Sequence, residues 1–594
     1  MKGGITSGVV YPHAICELAQ TYRFVSIGGT SAGAIAAAGA AAAEHGRDAG
    51  GFAKLAALPE WIGSGTNLFD LFQPQPKTRG VYRTFTAGLG RKGVGKWLRV
   101  VGTAVRHWWP AVLIGAAPGL AIVVAGALAG GSALLRVAAI VAGALLALFG
   151  AVLVPLAWLA RRTPAAVTRN HFGLCTGMPE GSRAPALTPW LADLIDDLAG
   201  KDDGTPLTFG DLRARGVQLR MMTTSLTQRR PHRLPWDERV FFFHPSEWRE
   251  LFPERIVRWL IEHPPPVSED EEDAARTREA MLPRLPLPAA DDLPVVVAAR
   301  MSLSFPVLIS AVPLWAFDRT RTATNRVLSG RPRPGDEARP ERCWFSDGGI
   351  TSNFPVHFFD APLPLRPTFA IDLDGFHPDF PRTDDEAKNV WLPDNNVSGI
   401  LRSWHRFDEE DGFGRLTGFV SAIVRTMQNH VDSALTHQPG YRDRIVHVHS
   451  APDEGGMNLT MPPEVITALT RRGQEAAKLL VEAFASDEPS SAWDNHRWVR
   501  YRASMAAVGA LVEQVEAGWA SPPQAGRTYR DLLERSHGEP PRSYRVTAAQ
   551  RELLLALSEA LGAAGAALEA AKPVELGGDN APHPEPVARI VPRD

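Results

Sequence analysis

Cysteine is scarce in this chain of 594 residues: Cys16, Cys175 and Cys343 lie far apart and without metal-ligand spacing. That argues against a disulfide framework or a zinc cluster and fits a reducing compartment. A charge excess is missing too, with 63 basic against 65 acidic residues, so nothing in the overall electrostatics calls for a nucleic acid partner. The opening Met1-Lys2-Gly3-Gly4-Ile5-Thr6-Ser7-Gly8 lacks the basic region, apolar core and small-residue cleavage site of a secretory signal. The abundance of Ala, Arg, Gly and Pro matches the usage of a high-GC bacterial genome.

Long apolar runs, by contrast, are present. Residues 110–130 and 137–159 contain no acidic side chain, and each run is close to the ~20 residues that a helix needs to cross a hydrocarbon core. The break Gly130-Gly131-Ser132-Ala133 is long enough only for a tight turn between antiparallel helices. Trp108, Trp109 and Trp158 stand at the ends away from that turn, where indole rings favour the headgroup zone. Gly115 with Gly119, and Gly126 with Gly130, offer close backbone approach. Arg91, Lys92, Lys96, Arg99 and Arg106 precede the pair and Arg161, Arg162 and Arg169 follow it, against the single Arg136 near the turn. A transmembrane hairpin with both ends in the cytoplasm is expected; a buried pair of core helices is the competing reading.

The chemistry-bearing residues lie on either side of this hairpin. Residues 23–28 form a short apolar stretch that runs into Gly29-Thr30-Ser31-Ala32-Gly33 and then an alanine-rich segment, 34–44. Strand, sharp turn and helix in that order hold a serine hydroxyl in the open, and Gly29 and Gly33 let strand and helix pass closely. The earlier turn, Gly3-Gly4-Ile5 with Gly8, precedes a helix-like run over 9–20; peptide N–H groups at such a turn can converge on a developing oxyanion. Only 28 residues precede Gly29, too few for the strands that come before the nucleophile in an α/β-hydrolase. Far downstream, Cys343-Trp344-Phe345-Ser346-Asp347-Gly348-Gly349-Ile350 reads as a strand ending in an aspartate that could take the serine proton directly. Taken alone, Asp-Gly is also a common turn.

With the segment from Ala298-Ala299-Arg300-Met301-Ser302-Leu303-Ser304-Phe305-Pro306 placed between them, these motifs resemble the patatin-like phospholipases. That family has a glycine-rich oxyanion loop, a Gly-x-Ser-x-Gly elbow one helix later, a small-residue segment ending in proline and a late Asp-Gly-Gly, in this order. The resemblance implies an α/β/α sandwich with a central, mostly parallel sheet. It implies Ser31 as nucleophile, Asp347 as base and the amides of Gly3, Gly4 and Ile5 as oxyanion hole, with Gly8, Gly29, Gly33, Gly348 and Gly349 as motif supports. No cofactor or metal is required. Two departures from the family are evident: Ile5 and Ser7 stand where the loop usually carries a third glycine and a basic residue, and the strand that feeds the loop would lie upstream of Lys2, as if the chain were truncated.

The expected organisation is a catalytic domain begun over 1–107, interrupted by the hairpin over 108–160 and resumed over 161–485. It includes a Pro- and acid-rich loop or lid at 264–292 and further strands near 368–373 and 444–449, with a helix-like run at 419–433. A helical region at 486–572 and a disordered tail at 573–594 follow. Ser31 and Asp347 flank the hairpin in sequence, so the chain must cross the bilayer an even number of times between them, which two helices satisfy. The expected function is hydrolysis of acyl esters of membrane glycerophospholipid at the cytoplasmic face of a bacterial inner membrane. A silent membrane-anchored scaffold, a thioesterase or acyltransferase using the same dyad, and a small pore are the alternatives.

Overall fold

The computed structural model of the protein describes residues 1–4, 6–88, 94–130, 132–236, 240–266, 271–393, 438–451, 454–456, 458–485, 492–524, 526–534 and 546–572, with scattered positions between 415 and 436 and beyond 573. In chain order its strands are β1 (Ser26–Gly29), β2 (Gly173–Cys175), β3 (Gln218–Ser225), β4 (Arg230–Leu234), β5 (Phe242–Phe243), β6 (Leu285–Pro286), β7 (Val307–Ile309), β8 (Val312–Phe317), β9 (Pro340–Asp347), β10 (Ala370–Gly375), β11 (Val390–Trp391) and β12 (Ile445–Ser450).

The result is a mixed α/β fold whose main sheet is hydrogen-bonded in the order β1-β3-β9-β8-β5-β6, with β4 also on β3. The expectation of a mostly parallel sheet is corrected here. Within the main sheet β1 and β3 are parallel, whereas β3–β4, β3–β9, β8–β9, β5–β8 and β5–β6 are antiparallel. Parallel neighbours need a crossover of about a dozen residues or more, and the four-residue link 226–229 between β3 and β4 forces a hairpin instead. β10 and β12 form a separate parallel pair edged by antiparallel β11, and β2 pairs in parallel with β7.

The helix Ala32–His45 lies at the centre of the core. Eleven of its fourteen residues are Ala or Gly, and it is buried on nearly all sides. Alanine has the highest helix propensity and the least side-chain bulk, so helices Leu187–Ala199, Val295–Ser302 and Gly51–Gly63 pack closely around it. Phe241, Phe242 and Phe243 are buried.

Helices Val94–Leu128 and Ala133–Arg169 are antiparallel partners, and both are long and apolar enough to cross a membrane. The first is kinked at Trp108 (φ −112°, ψ 25°), two residues before Pro110, whose ring removes a helical hydrogen bond. A Cβ on Gly119 would lie 2.1 Å from the Ala147 amide, and one on Gly115 would lie 2.0 Å from the Gly150 carbonyl. Gly126 faces Ala139, but Gly130 borders open space and takes no part in this contact. Gly119→Leu is expected to force the helices apart at a cost of roughly 3 kcal/mol or more. Cysteines engineered at Gly126 and Ala139 should then crosslink in the natural background and fail to do so in the variant.

A third helix, Ala548–Ala570, also meets the length and apolarity needed for a span. Glu559 in its middle is ion-paired with Arg530 at 2.7 Å, and Gly565 packs against Glu516 of helix Ala492–Ala520. The 264–292 stretch is more ordered than a lid: beyond the undescribed 267–270 it forms helix Glu271–Met281 and edge strand β6, because Met281 is buried and β6 pairs with β5. Most of the 419–433 run and of the 573–594 tail falls outside the described residues.

Candidate functional site

β1 ends at Gly29, and helix Ala32–His45 starts with Ser31 as its N-cap. Ser31 has φ 55° and ψ −128°, a region costing a non-glycine residue roughly 1–3 kcal/mol. Such strain persists only where the surroundings impose it. They do so through the flanking glycines, since a Cβ on Gly29 would lie 2.0 Å from the Gly33 carbonyl and one on Gly33 would lie 2.4 Å from the Met1 carbonyl.

Asp347 reaches Ser31 by sheet register. β4 covers one edge of β3 from Met221 to Ser225, so β1 and β9 must share the other edge. β1 runs parallel to β3 and stops with Gly29 opposite Met221; β9 runs antiparallel and stops with Asp347 opposite Thr223. Two strand ends therefore converge on one point along β3, and Ser31 Oγ donates to Asp347 Oδ2 at 2.7 Å. Both residues are buried, with 5 % and 3 % exposure. The other carboxylate oxygen accepts the Gly349 N–H at 2.6 Å. Burial nevertheless dominates and pushes the Asp347 carboxyl up to about 7, a suitable value for a proton acceptor near neutral pH.

The surrounding residues hold this pair in place. The Ser31 N–H donates to Ser302 Oγ at 3.1 Å, and the Asp347 N–H donates to the Ser304 carbonyl at 3.0 Å. Fully buried Arg300 donates to Ser304 Oγ, Thr188 Oγ1 and the carbonyls of Thr176 and Ser310, all neutral acceptors. Arg300→Ala is expected to lower stability by roughly 3–5 kcal/mol through unsatisfied acceptors and a cavity, as measured by the urea midpoint. The motif segment quoted above contains Arg300, Ser302 and Ser304, yet nothing in the sequence shows which of their atoms turn toward the dyad.

The glycine-rich turn lies beside Ser31: a Cβ on Gly3 would stand 2.6 Å from Ser31 Cβ and 2.4 Å from Asn353 Oδ1. The Gly3 N–H, however, donates to the Asn353 carbonyl at 3.2 Å. It is therefore engaged within the protein rather than free for an oxyanion, a correction to its expected role. The Gly4 N–H has no acceptor among the described residues, and Ile5 lies outside them. Gly8 borders Ala32, Gly348 packs on the Met222 carbonyl, and Gly349 stands against Asn353 and Asp347. Asn353 is itself fixed by Asp432, which accepts from the Asn353 N–H at 2.7 Å and from Ser352 Oγ at 2.6 Å. A contact across 79 residues left no trace in the sequence.

A cleft of about 800 Å³, counting its open mouth, runs from Thr6, Gly8 and Ala32 beside the dyad to Leu58, Ile62 and Leu194, and its lining is almost wholly apolar. Elsewhere, Asp372, Asp374 and His447 bring three potential ligand atoms within 4.8 Å of one another. The Lys2 ammonium sits 2.6 Å from Asp372 there and pairs with its charge.

No family model matches the sequence, and no solved structure matches the fold. The chain is 36% identical over 659 aligned residues to the RpoH suppressor of Rhizobium meliloti (strain 1021), in an alignment that spans 100% of this chain and 98% of that protein. With such identity over the whole of both chains, the protein belongs to the family of that RpoH suppressor.

Proposed function

We propose that the protein is a membrane-anchored serine hydrolase of acyl esters in glycerophospholipids, phospholipase A-like in its chemistry and built on a patatin-like α/β/α arrangement. The carrying observation is the buried 2.7 Å hydrogen bond from a backbone-strained Ser31 to Asp347. In the reaction, Asp347 takes the Ser31 proton as Oγ bonds to the acyl carbonyl carbon. The tetrahedral adduct then expels the glycerol oxygen, which receives that proton from Asp347. Water, deprotonated by Asp347, attacks the acyl-enzyme, and the released Ser31 oxygen recovers the proton. No cofactor enters the scheme.

The apolar cleft beside Ser31 suits an acyl chain, since such sites are mostly apolar with a few directed polar groups. The two long apolar helices return the chain to the side from which it left, which keeps Ser31 and Asp347 together. Their basic ends, Arg99 and Arg106 on one and Arg161, Arg162 and Arg169 on the other, favour the cytoplasmic face of a bacterial inner membrane.

A catalytically silent scaffold is the second reading, favoured by the Gly3 N–H being engaged by Asn353. A fluorophosphonate probe separates the two in the solubilised full-length protein. Labelling that disappears in Ser31→Ala supports the hydrolase, and the absence of labelling in the unaltered chain favours the scaffold.

A further inference from the structure

One apolar cluster joins the neighbourhood of Ser31 to the foot of the long apolar helices. It starts at Ala32, passes the cleft walls Leu71, Phe72 and Leu303 and reaches Tyr82, with Val81 and Val167 packed against it. Val167 lies in the last turn of Ala133–Arg169, and Val81 and Tyr82 belong to helix Arg79–Ala87. That short helix rests directly on Val94–Leu128, where a Cβ on Gly80 would lie 2.1 Å from His107 Cδ2. His107 adjoins Trp108 and Trp109 at the start of the first apolar run, a level at which indole rings meet lipid headgroups. On the same short helix Phe85 is 42% exposed, and Arg79 and Arg83 accompany it, the pattern of a surface lying against a membrane interface.

We propose that this cluster is the path by which an acyl chain leaves the bilayer and reaches Ser31, so that the substrate is a bilayer-resident long-chain ester drawn in tail first. The inference rests on the reading of Ser31 as an acyl-ester nucleophile. Its physical basis is continuity. Each methylene brought into water costs about 0.8 kcal/mol, so an exposed route for a long chain is prohibitive, whereas a path along Val167, Tyr82 and Phe72 keeps the chain in apolar contact. Half-buried Leu68 and Trp190 line the cleft and also belong to the cluster's periphery, and so connect the path to the cleft. The ester carbonyl arrives last, beside Ala32 and Ser31.

The test uses full-length protein in phosphatidylcholine–phosphatidylglycerol vesicles doped with a phospholipid bearing a diazirine at the end of one acyl chain. After irradiation, crosslinks are expected in the segments 68–72 and 81–82 and at Leu303; crosslinks confined to 110–159 would overturn the path. A second arm uses Gly80→Leu, which pushes the short helix off His107. Fatty acid release from vesicles should fall about tenfold while fluorophosphonate labelling of Ser31 is unchanged, and undiminished release would count against the proposal. Failure of the unaltered chain to label would defeat the reading of Ser31 itself, and the crosslink map would still judge the path.

Discussion

Ser31→Ala is expected to lower fatty acid release from vesicle phospholipid by roughly 10⁴-fold or more, because it removes the residue proposed to form the covalent intermediate. The fold should survive. Ser31 contributes one side-chain hydrogen bond, to Asp347, and its backbone conformation is imposed by its neighbours rather than supported by its own side chain. Ser31→Gly sharpens the test. Glycine adopts φ 55° without the Cβ penalty, so this variant should be equally inactive yet more stable, by about 1–3 kcal/mol, as strain is relieved. Turnover by either variant, measured on the same vesicles, would remove Ser31 from the mechanism.

Asp347→Asn carries the second large effect, with opposite signs on activity and stability. Activity should be lost, since the amide cannot take the proton of Ser31. The amide oxygen can still accept from the Gly349 N–H, and the NH2 that replaces Oδ2 can donate to Ser31 Oγ, so the geometry is retained. Burial raises the carboxyl to about 7 in the folded protein, against an ordinary 3.8. A group raised on folding favours the folded state fully only below its unfolded value, and this advantage is lost as pH rises through the folded value. The penalty of the buried carboxylate therefore grows between about pH 4 and pH 7 and is complete above that, reaching a few kcal/mol. Asp347→Asn should raise the urea midpoint markedly at pH 8 and only slightly at pH 4. An equal rise at both pH values would contradict a carboxyl raised by burial. In the unaltered protein, the pH profile of kcat/KM should rise with a midpoint near the same value of about 7.

The two long apolar helices were readable from composition because spanning length and lack of charge are local properties, and so is a glycine on each side of a serine at a strand-to-helix turn. The order of the motifs along the chain was enough to pair Ser31 with Asp347 as candidates. Sheet direction was not, because strand pairing is a long-range choice: the link 226–229 turns β3 back as a hairpin, and β9 arrives antiparallel. The same choice brings the ends of β1 and β9 together on one edge of β3 and sets the distance between the dyad atoms. The occupied Gly3 N–H depends likewise on Asn353 and through it on Asp432, far off in sequence.

Local chemistry thus marked Ser31 and the apolar helices, which depend on residues within a few positions of one another, and motif order added Asp347. The raised Asp347 carboxyl, the fixing of Ser304 by Arg300 and the apolar cluster from Ala32 to Val167 arise only when distant segments exclude water from a shared volume. Burial belongs to the packed chain, so tertiary structure alone decided them.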